Sequence, residues 1–242
     1  MKILLIDIET APHVAHIWGL YNQNIGINQL LDSSYVMCWS AKWLGDRKVM
    51  FDSIMENTHK NMIKMAHRLL DECDAVIHYN GSKFDIPTLN KEFLLCGLKP
   101  PSPYVEIDLL KTARGKFKFP SNKLDYVAQR LGVGKKTSHE GHELWLKCMA
   151  KDKKAWAVMK KYNKNDVVIL EKVYEKLKGW IKQHPRHLGA VCPKCGSDHL
   201  QKRGTYCTIK SSYQRFQCQS CGSWSRASRG SRLKDSNSNI TI

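Results

Sequence analysis

Five polar residues stand inside stretches of this 242-residue chain that otherwise read as apolar and buried. They are Asp7, Glu9, Asp85, Tyr162 and Asp166. A carboxylate in apolar surroundings loses much of its hydration free energy, and a cation beside it is needed to offset that loss. Several carboxylates in such segments therefore indicate a shared divalent-metal site, which the fold must assemble from distant parts of the chain.

The first two acids fall near the end of a predicted buried strand, Lys2–Glu9, in the sequence LLIDIET. Side chains alternate between the faces of a strand, so Asp7 and Glu9 point the same way with Cα atoms roughly 7 Å apart. This spacing lets both carboxylates reach one metal ion or two adjacent ions. The same pair also fits two exposed acids at a turn.

Asp85 lies at the start of a predicted helix, 84–96, which follows a predicted strand, 75–79, and Asn80. A helix N-terminus stabilises a nearby carboxylate through its exposed N–H groups and dipole. Capping of the helix is therefore an alternative to metal binding at this position.

The last two residues belong to a predicted long helix, 152–180, with apolar residues at spacings of three and four. The stripe consists of Trp156, Met159, Tyr162, Ile169 or Leu170, Val173 and Leu177. Asp166 falls on this stripe, one turn after Tyr162, so their side chains are neighbours. Taken alone they fit a solvated aspartate and a core tyrosine, but three such segments in order favour a joint site.

In this order the segments resemble the three motifs of the DEDD 3′–5′ exonucleases, in the RNase H-like (DnaQ-like) superfamily. The matches are Asp7 and Glu9 in D-x-E, Asn80, Phe84 and Asp85 in the second motif, and Tyr162 and Asp166 in Y-x-x-x-D. The tyrosine marks the tyrosine subgroup. The runs FDIP and SNKLDYVAQRLG are similar to the exonuclease domains of family B DNA polymerases.

The resemblance implies an α/β fold over residues 1–182, with an RNase H-like mixed sheet flanked by helices. The ligands of two Mg²⁺ or Mn²⁺ ions would be Asp7, Glu9, Asp85 and Asp166. Tyr162 would orient the attacking water. The implied reaction hydrolyses phosphodiester bonds, most readily of single-stranded DNA, and releases nucleoside 5′-monophosphates from a 3′ end. The implied setting is DNA replication or repair beside a separate polymerase or replication protein.

Predicted substrate contacts come from loops, which commonly carry such contacts. They are Asn80, Phe84, Lys135 and Lys136. Asn80 could instead cap its loop, and the lysine pair in the basic segment 132–142 could simply be solvated. A second basic segment, 112–123, carries two phenylalanines and reads as another substrate-contacting loop.

The C-terminal part of the chain contains two C-x-x-C-G sequences, with 22 residues between Cys195 and Cys218. Their cysteines are Cys192, Cys195, Cys218 and Cys221. This spacing is typical of a four-cysteine zinc ribbon, predicted over residues 189–226. Thiolates select zinc over harder ions, and so small a segment with little apolar content needs a metal to fold. Two redox motifs or two disulfides are the alternative, and His199 and Cys207 are interpreted as bystanders.

The ribbon pattern resembles the zinc ribbons of transposases and other DNA-handling proteins. Twelve lysines and arginines follow Leu177, against two aspartates, so this stretch carries +10 of the net charge of +17. Such a charge excess is typical of phosphate binding. Aromatic residues that could stack on unpaired bases lie among the charges: Tyr206, Tyr213, Phe216 and Trp224. Phe216 alternatively belongs to the ribbon core, and the polar tail 227–242 is predicted to be disordered.

Further strands are predicted at 16–20, 36–44 and 48–52, and a helix at 58–73. The N-terminus enters the first strand without a signal peptide. The sequence contains no apolar run of about 18 residues, so no membrane span or membrane partner is expected. Nine cysteines, an odd number, favour a reducing cytoplasm.

Three other functions fit part of the pattern. A non-catalytic nucleic-acid-binding adaptor would keep the scaffold, but it should have lost a ligand position, and none is lost here. An RNA-trimming exoribonuclease would use the same residues. A transposase or endonuclease of the RNase H type would cut internal bonds, and the ribbon is its main support.

Overall fold

A computed structural model describes residues 1–182 and 184–232 of the protein. The contacts within the chain divide it into two units, Met1–Lys176 and Leu177–Ile242. The division falls at the end of the long helix, slightly before the predicted boundary at residue 182.

The strands of the first unit are β1 (Ile3–Thr10), β2 (Val14–Ala15), β3 (Leu30–Asp32), β4 (Val36–Trp43), β5 (Met50–Ser53), β6 (Ala75–His78) and β7 (Val105–Asp108). Five of them form a mixed sheet in the order β5-β4-β1-β6-β7. β4 runs antiparallel to β1 and β5, whereas β6 runs parallel to β1 and β7. β2 and β3 form a separate antiparallel pair.

The described residues form six α-helices: α1 (His59–Asp71), α2 (Asp85–Leu95), α3 (Leu109–Lys116), α4 (Leu124–Arg130), α5 (His142–Met149) and α6 (Lys153–Leu177). Residues of α1 and α2 pack with β1 in one hydrophobic cluster, and residues of α5 and α6 pack with β4 in another. The predicted mixed sheet flanked by helices is confirmed. Across the described part of the chain, no helix has the length and apolarity needed to cross a membrane.

The central strand β1 decides where the acids go. Leu4, Ile6 and Ile8 join the cluster formed with α1 and α2. Because successive side chains of a strand point to opposite faces, Asp7 and Glu9 lie on the other face of the sheet. That face is the one on which α6 packs, so the predicted orientation of the pair is confirmed.

Two local predictions are wrong. Residues 16–20 form no strand, because this apolar run is not buried: Trp18 is 96% exposed. The segment 112–123 is not a loop throughout, since α3 continues to Lys116. Asp108 caps α3 by accepting the N–H groups of Leu110 and Lys111.

The second unit contains the strands β8 (Leu200–Cys207), β9 (Ser211–Cys218), β10 (Trp224–Arg226) and β11 (Ser231–Arg232). The other three strands all pair antiparallel with β9. The predicted disordered tail began at residue 227, but β11 pairs with Ser211 and Ser212 because β9 offers an open edge there. The rest of that predicted tail, 233–242, lies outside the described residues.

One carboxylate oxygen joins the end of the sheet to the loop after β6. Oδ1 of the buried Asp108 accepts N–H bonds from Asn80 at 3.0 Å and from Leu110 at 2.9 Å, whereas its Oδ2 has no hydrogen-bond partner within residues 1–182 and 184–232. We expect Asp108→Ala to lower the free energy of unfolding by about 2–3 kcal/mol, because these buried donors lose their acceptor.

Urea unfolding followed by the helical circular dichroism signal measures this loss, because the six α-helices all end by Leu177. Asp108→Asn is the matched control. It keeps the Oδ1 acceptor and should cost less than about 1 kcal/mol. Equal losses in the two variants would show that the Oδ1 bonds are not what stabilises this corner.

Candidate active site and cysteine cluster

The end of β1 and the middle of α6 bring three carboxylates together. One oxygen from each of Asp7, Glu9 and Asp166 lies within 4.8 Å of the other two. Asp166 is 1% exposed, and its Oδ1 has no hydrogen-bond partner among the described residues. A set of acid oxygens that includes an unpartnered buried atom fits a hard divalent cation such as Mg²⁺ or Mn²⁺.

Asn163 fixes the position of Asp7 against α6. This fully buried side chain donates from Nδ2 to Asp7 Oδ2 at 2.6 Å and to the Asp7 carbonyl oxygen at 3.3 Å. Asn163 falls at one of the unspecified positions of Y-x-x-x-D, so the motifs do not predict it. The available signal was an amide three residues before Asp166, which places both on one helix face.

The fourth predicted ligand, Asp85, is the buried first residue of α2. Its Oδ1 accepts the backbone N–H of Ile8 at 3.2 Å, which places it beside the strand segment that carries Asp7 and Glu9. Asp85 is not one of the three clustered carboxylates. Its charge nevertheless contributes to the raised pKa values of Asp7 and Glu9, and its ligand role stays a prediction.

Lys136 reaches the cluster from the loop before α5. Its Nζ donates to Asp166 Oδ2 at 2.6 Å and to the Tyr162 hydroxyl at 3.1 Å, and it lies 5.2 Å from the Tyr162 ring centroid. The ring of His139 meets the Tyr162 ring edge-on at 4.7 Å. These contacts hold the Tyr162 hydroxyl beside Asp166.

Burial is the main cause of the pKa shifts in this cluster. It raises the pKa of Glu9 to about 8 and that of Asp85 to about 7, with repulsion from Asp166 adding at Glu9. The pKa values of Asp7 and Asp166 are also raised by burial, although Lys136 opposes the rise at Asp166. Burial by itself would lower the pKa of Lys136, but the Asp166 carboxylate raises it.

A groove of about 600 Å³ opens beside Asp7. It is also lined by Asn80, Arg114, Asn122 and Lys136. Arg114 and Asn122 come from the basic segment 112–123. The structure therefore places Asn80 and Lys136, of the predicted substrate contacts, at one groove.

The other two predicted substrate contacts lie apart from this groove. Phe84 is 45% exposed at the start of α2 and does not line it. The Lys135 side chain is exposed, and its backbone carbonyl accepts a hydrogen bond from Asn165. Adjacent lysines in an irregular segment need not point the same way. Of this pair, only Lys136 lines the groove.

The four predicted zinc ligands also converge. The sulfur atoms of Cys192, Cys195, Cys218 and Cys221 lie within 4.8 Å of one another. The closest pairs are 3.6 and 3.7 Å apart, far longer than a disulfide bond, and all four cysteines are free thiols. Gly196 and Gly222, with φ of 76° and 71°, permit the tight turn after each second cysteine.

The surroundings of the cysteines favour a thiolate at one of them. Burial opposes ionisation of Cys192, but hydrogen bonds from Ser223 and from backbone N–H groups lower its pKa to about 6. Burial, with the neighbouring sulfur atoms, raises the pKa of Cys195 to about 12. Tetrahedral thiolate sets bind zinc, and the cluster fits the predicted zinc ribbon. His199 and Cys207 are exposed and lie outside the cluster.

A five-stranded mixed sheet with clustered acids at the end of its central strand defines the class of the first unit. A sequence profile of the RNase_H superfamily matches residues 31–178. The chain belongs to this superfamily. The matched region includes Asp85, Tyr162 and Asp166 but begins after Asp7 and Glu9.

Among solved structures, the chain is similar to the family B DNA polymerase of the hyperthermophilic archaeon Pyrobaculum calidifontis. The sequence identity is 18% and the TM-score 0.56, over 74% of this chain and 24% of the polymerase. The likeness shows a shared fold, and the chain spans about a quarter of the length of that polymerase. No curated protein matches the chain.

Membership of the RNase_H superfamily supports a nuclease that binds nucleic acid and uses divalent metal ions. The three-carboxylate cluster supplies oxygen ligands suited to such ions. The four-cysteine cluster supplies a second, chemically distinct set of ligands, which fits zinc.

The raised carboxyl pKa values predict that the first unit loses stability as the pH rises in the presence of a chelator. Between about pH 5 and pH 8 Glu9 of the unfolded chain, with an ordinary pKa of 4.5, is already deprotonated, whereas the folded protein, with a Glu9 pKa of about 8, retains the proton. The folded state then binds more protons, so the free energy of unfolding decreases with pH. We expect Glu9→Gln to flatten this decrease.

Melting curves followed by the helical circular dichroism signal measure the effect. Glu143→Gln, at an exposed position of α5, is the matched control and should keep the wild-type slope. Added Mn²⁺ should stabilise the wild type more at the upper end of the range, because metal binding competes with protons. A Glu9→Gln slope equal to that of the wild type would contradict the assigned proton binding.

Proposed function

We propose that the chain is a metal-dependent 3′–5′ exonuclease of single-stranded nucleic acid, with DNA preferred, that releases nucleoside 5′-monophosphates. The observation that carries the proposal is the convergence of Asp7, Glu9 and Asp166 within 4.8 Å, with the Tyr162 hydroxyl beside them. Membership of the RNase_H superfamily supports nuclease chemistry. The resemblance of the ordered motifs to those of the 3′–5′ exonucleases supports the direction of cutting.

The carboxylates are the proposed metal ligands. Asp7, Glu9, Asp85 and Asp166 would together hold two Mg²⁺ or Mn²⁺ ions. Bound ions of this kind neutralise charge on the phosphate and supply a strong nucleophile near neutral pH. Asn163 and the Ile8 N–H restrain Asp7 and Asp85, so these acids need little reorganisation before substrate binds.

Tyr162 is proposed to orient the attacking water. Its hydroxyl oxygen accepts a hydrogen bond from Lys136, and a hydrogen bond from the same hydroxyl helps to lower the pKa of Asp166. The hydroxyl is thus held in one position by a cation on one side and a carboxylate on the other. A restrained hydroxyl of this kind, whose remaining lone pair can accept from a water molecule, positions that water without carrying charge itself.

The groove beside Asp7 is proposed to hold the 3′ end of the substrate. Arg114 and Lys136 line it with positive charge, and Asn80 and Asn122 add amide groups that can bond to sugar or base. Lysine and arginine contacts to phosphate are independent of sequence, which suits a nuclease that must accept any terminal nucleotide.

The second unit is proposed to add affinity for nucleic acid through its zinc ribbon. The chain would act in a reducing cytoplasm, where the four thiols stay unoxidised. Replication or repair beside a separate DNA polymerase is the proposed setting, on the analogy of fold alone.

Incubation of full-length protein and Mg²⁺ with 5′-labelled single-stranded DNA tests the proposal. We expect a ladder of shortened strands, and immediate release of a labelled mononucleotide from a 3′-labelled strand. Parallel duplex DNA and RNA substrates distinguish DNA from RNA trimming. A circular single strand should stay intact, and nicking of it would favour the endonuclease alternative. No release with either Mg²⁺ or Mn²⁺ would favour the non-catalytic adaptor.

Variants in the same assay test the roles of the residues. Asp7→Ala and Asp166→Asn should each reduce the rate by about a thousandfold or more, since several kcal/mol of metal-dependent stabilisation are lost. Tyr162→Phe should reduce it by about tenfold to a hundredfold, because the water is misplaced rather than lost. Full turnover in Asp166→Asn would rule out the proposed ligand set.

Loss of zinc should weaken nucleic-acid binding by the second unit without unfolding the first unit. We expect Cys195→Ser to remove zinc from the chain, to weaken binding of single-stranded DNA, and to leave the helical signal of the first unit unchanged. Cys207→Ser is the matched control, because Cys207 is exposed and outside the cluster. Zinc analysis and fluorescence anisotropy measure the two effects, and wild-type affinity without zinc would assign the ribbon another role.

A further inference from the structure

One face of the sheet in the second unit carries an arginine–aromatic ladder, formed by Tyr206, Tyr213, Arg215, Trp224 and Arg226. Tyr206 lies opposite Tyr213, and Arg226 lies opposite Arg215. Residues that lie opposite each other across an antiparallel pair share a face, and so do residues two apart on one strand. The five side chains therefore project from the same side of β8, β9 and β10.

The members of the ladder stack on one another. The guanidinium carbon of Arg226 lies 4.2 Å from the ring centroid of Tyr213 and 5.0 Å from that of Tyr206. The guanidinium carbon of Arg215 lies 4.7 Å from the ring centroid of Trp224, and its Nε donates to the Arg203 carbonyl at 2.9 Å. Stacking and this hydrogen bond order two arginines that would otherwise be mobile on the surface.

The ladder is exposed and lacks acidic partners. Tyr206 is 48% exposed and Trp224 49% exposed. Within residues 184–232, Asp198 is the sole carboxylate, and neither Arg215 nor Arg226 forms an ion pair with a described residue. The ordered positive charge is therefore directed to solvent instead of being used within the fold.

The opposite face of the same sheet has a different role. Phe216 and Cys218 alternate with the ladder residues on β9, so they point to the other side, where Cys218 joins the cysteine cluster. The ribbon thus places its metal site on one face. Two cations and three aromatic rings stand on the other.

We propose that the arginine–aromatic ladder is a binding surface for a single-stranded polynucleotide. The edges of the two guanidinium groups would donate to phosphate oxygens, while the exposed rings and guanidinium faces would stack on unpaired bases. Charge complementarity supports this occupant, since the stretch from Lys178 onward carries +10. The inference rests on the proposed function only in taking nucleic acid as the ligand of this chain.

The test measures binding of a labelled oligothymidylate of about 20 nucleotides, longer than common single-strand sites, by fluorescence anisotropy. Full-length protein with Asp166→Asn prevents turnover, and zinc content confirms that each variant keeps its ribbon. The double variant Arg215→Lys with Arg226→Lys keeps the charge but loses planar stacking. Lys202→Ala is the control on the other face, because Lys202 lies opposite Phe216.

We expect the double lysine variant to bind about tenfold more weakly with an unchanged salt dependence, because stacking is lost while charge is kept. Replacing both arginines by alanine should also reduce the slope of log affinity against log salt by roughly 1.4. Lys202→Ala should stay within about twofold of the parent. Tyr206→Leu, a single change at an exposed position, should weaken binding by about tenfold. It tests the ladder independently if the double variant loses zinc.

Parent-like affinity in the double lysine variant and in Tyr206→Leu would overturn the proposal, as would duplex DNA binding as tightly as the single strand. These failures are distinct from failure of the proposed function. If the wild type releases mononucleotides but the ladder variants bind normally, the exonuclease proposal stands and the ladder proposal is refuted. If binding depends on the ladder but no cleavage occurs, the ladder proposal stands and the exonuclease proposal is refuted.

Discussion

Repulsion among Asp7, Glu9 and Asp166 is the constraint on which the rest of the first unit depends. Three carboxylates within 4.8 Å and largely removed from water cannot all ionise without a nearby cation, and the pKa of Glu9 accordingly rises to about 8. Lys136, at 2.6 Å from Asp166, offsets only one of the three charges. The arrangement is therefore unfavourable as a purely structural feature, and it is explained by a function that brings divalent cations to the site.

The fold holds the mutually repelling acids in place because they belong to β1 and α6. β1 is paired on both edges, and α6 is tied to the sheet by the Asn163–Asp7 hydrogen bond and by an ion pair between Glu171 and Lys42 of β4. Lys136, by contrast, comes from a loop. The acids thus belong to a helix and a strand, while the cation beside them projects from a segment outside the regular elements.

What the sequence could predict follows from periodicity and spacing. Alternation in β1 and the four-residue spacing on α6 were sufficient to group Asp7 with Glu9 and Tyr162 with Asp166. Cysteine spacing was sufficient to group the four sulfur atoms of the second unit. Helical spacing places Asn163 on the face of Asp166, and motif order singled out Asp85. Their hydrogen-bond partners, Asp7 and the Ile8 N–H, lie in distant segments and are not revealed by a local pattern. The run 16–20 was misjudged because apolar composition indicates a strand only where a neighbouring strand covers it.

The ladder in the second unit shows a different limit of sequence patterns. Strict alternation along β8 would put Tyr206 on the face of Lys202, which lies opposite Phe216. A register shift between Lys202 and Thr205, at Gly204 with φ of 63°, instead turns Tyr206 to the face of Tyr213. Aromatic and basic composition alone therefore does not make this surface. One extra residue in a strand, at a position where glycine accepts a left-handed backbone, brings the outer tyrosine onto Arg226 and completes the stack.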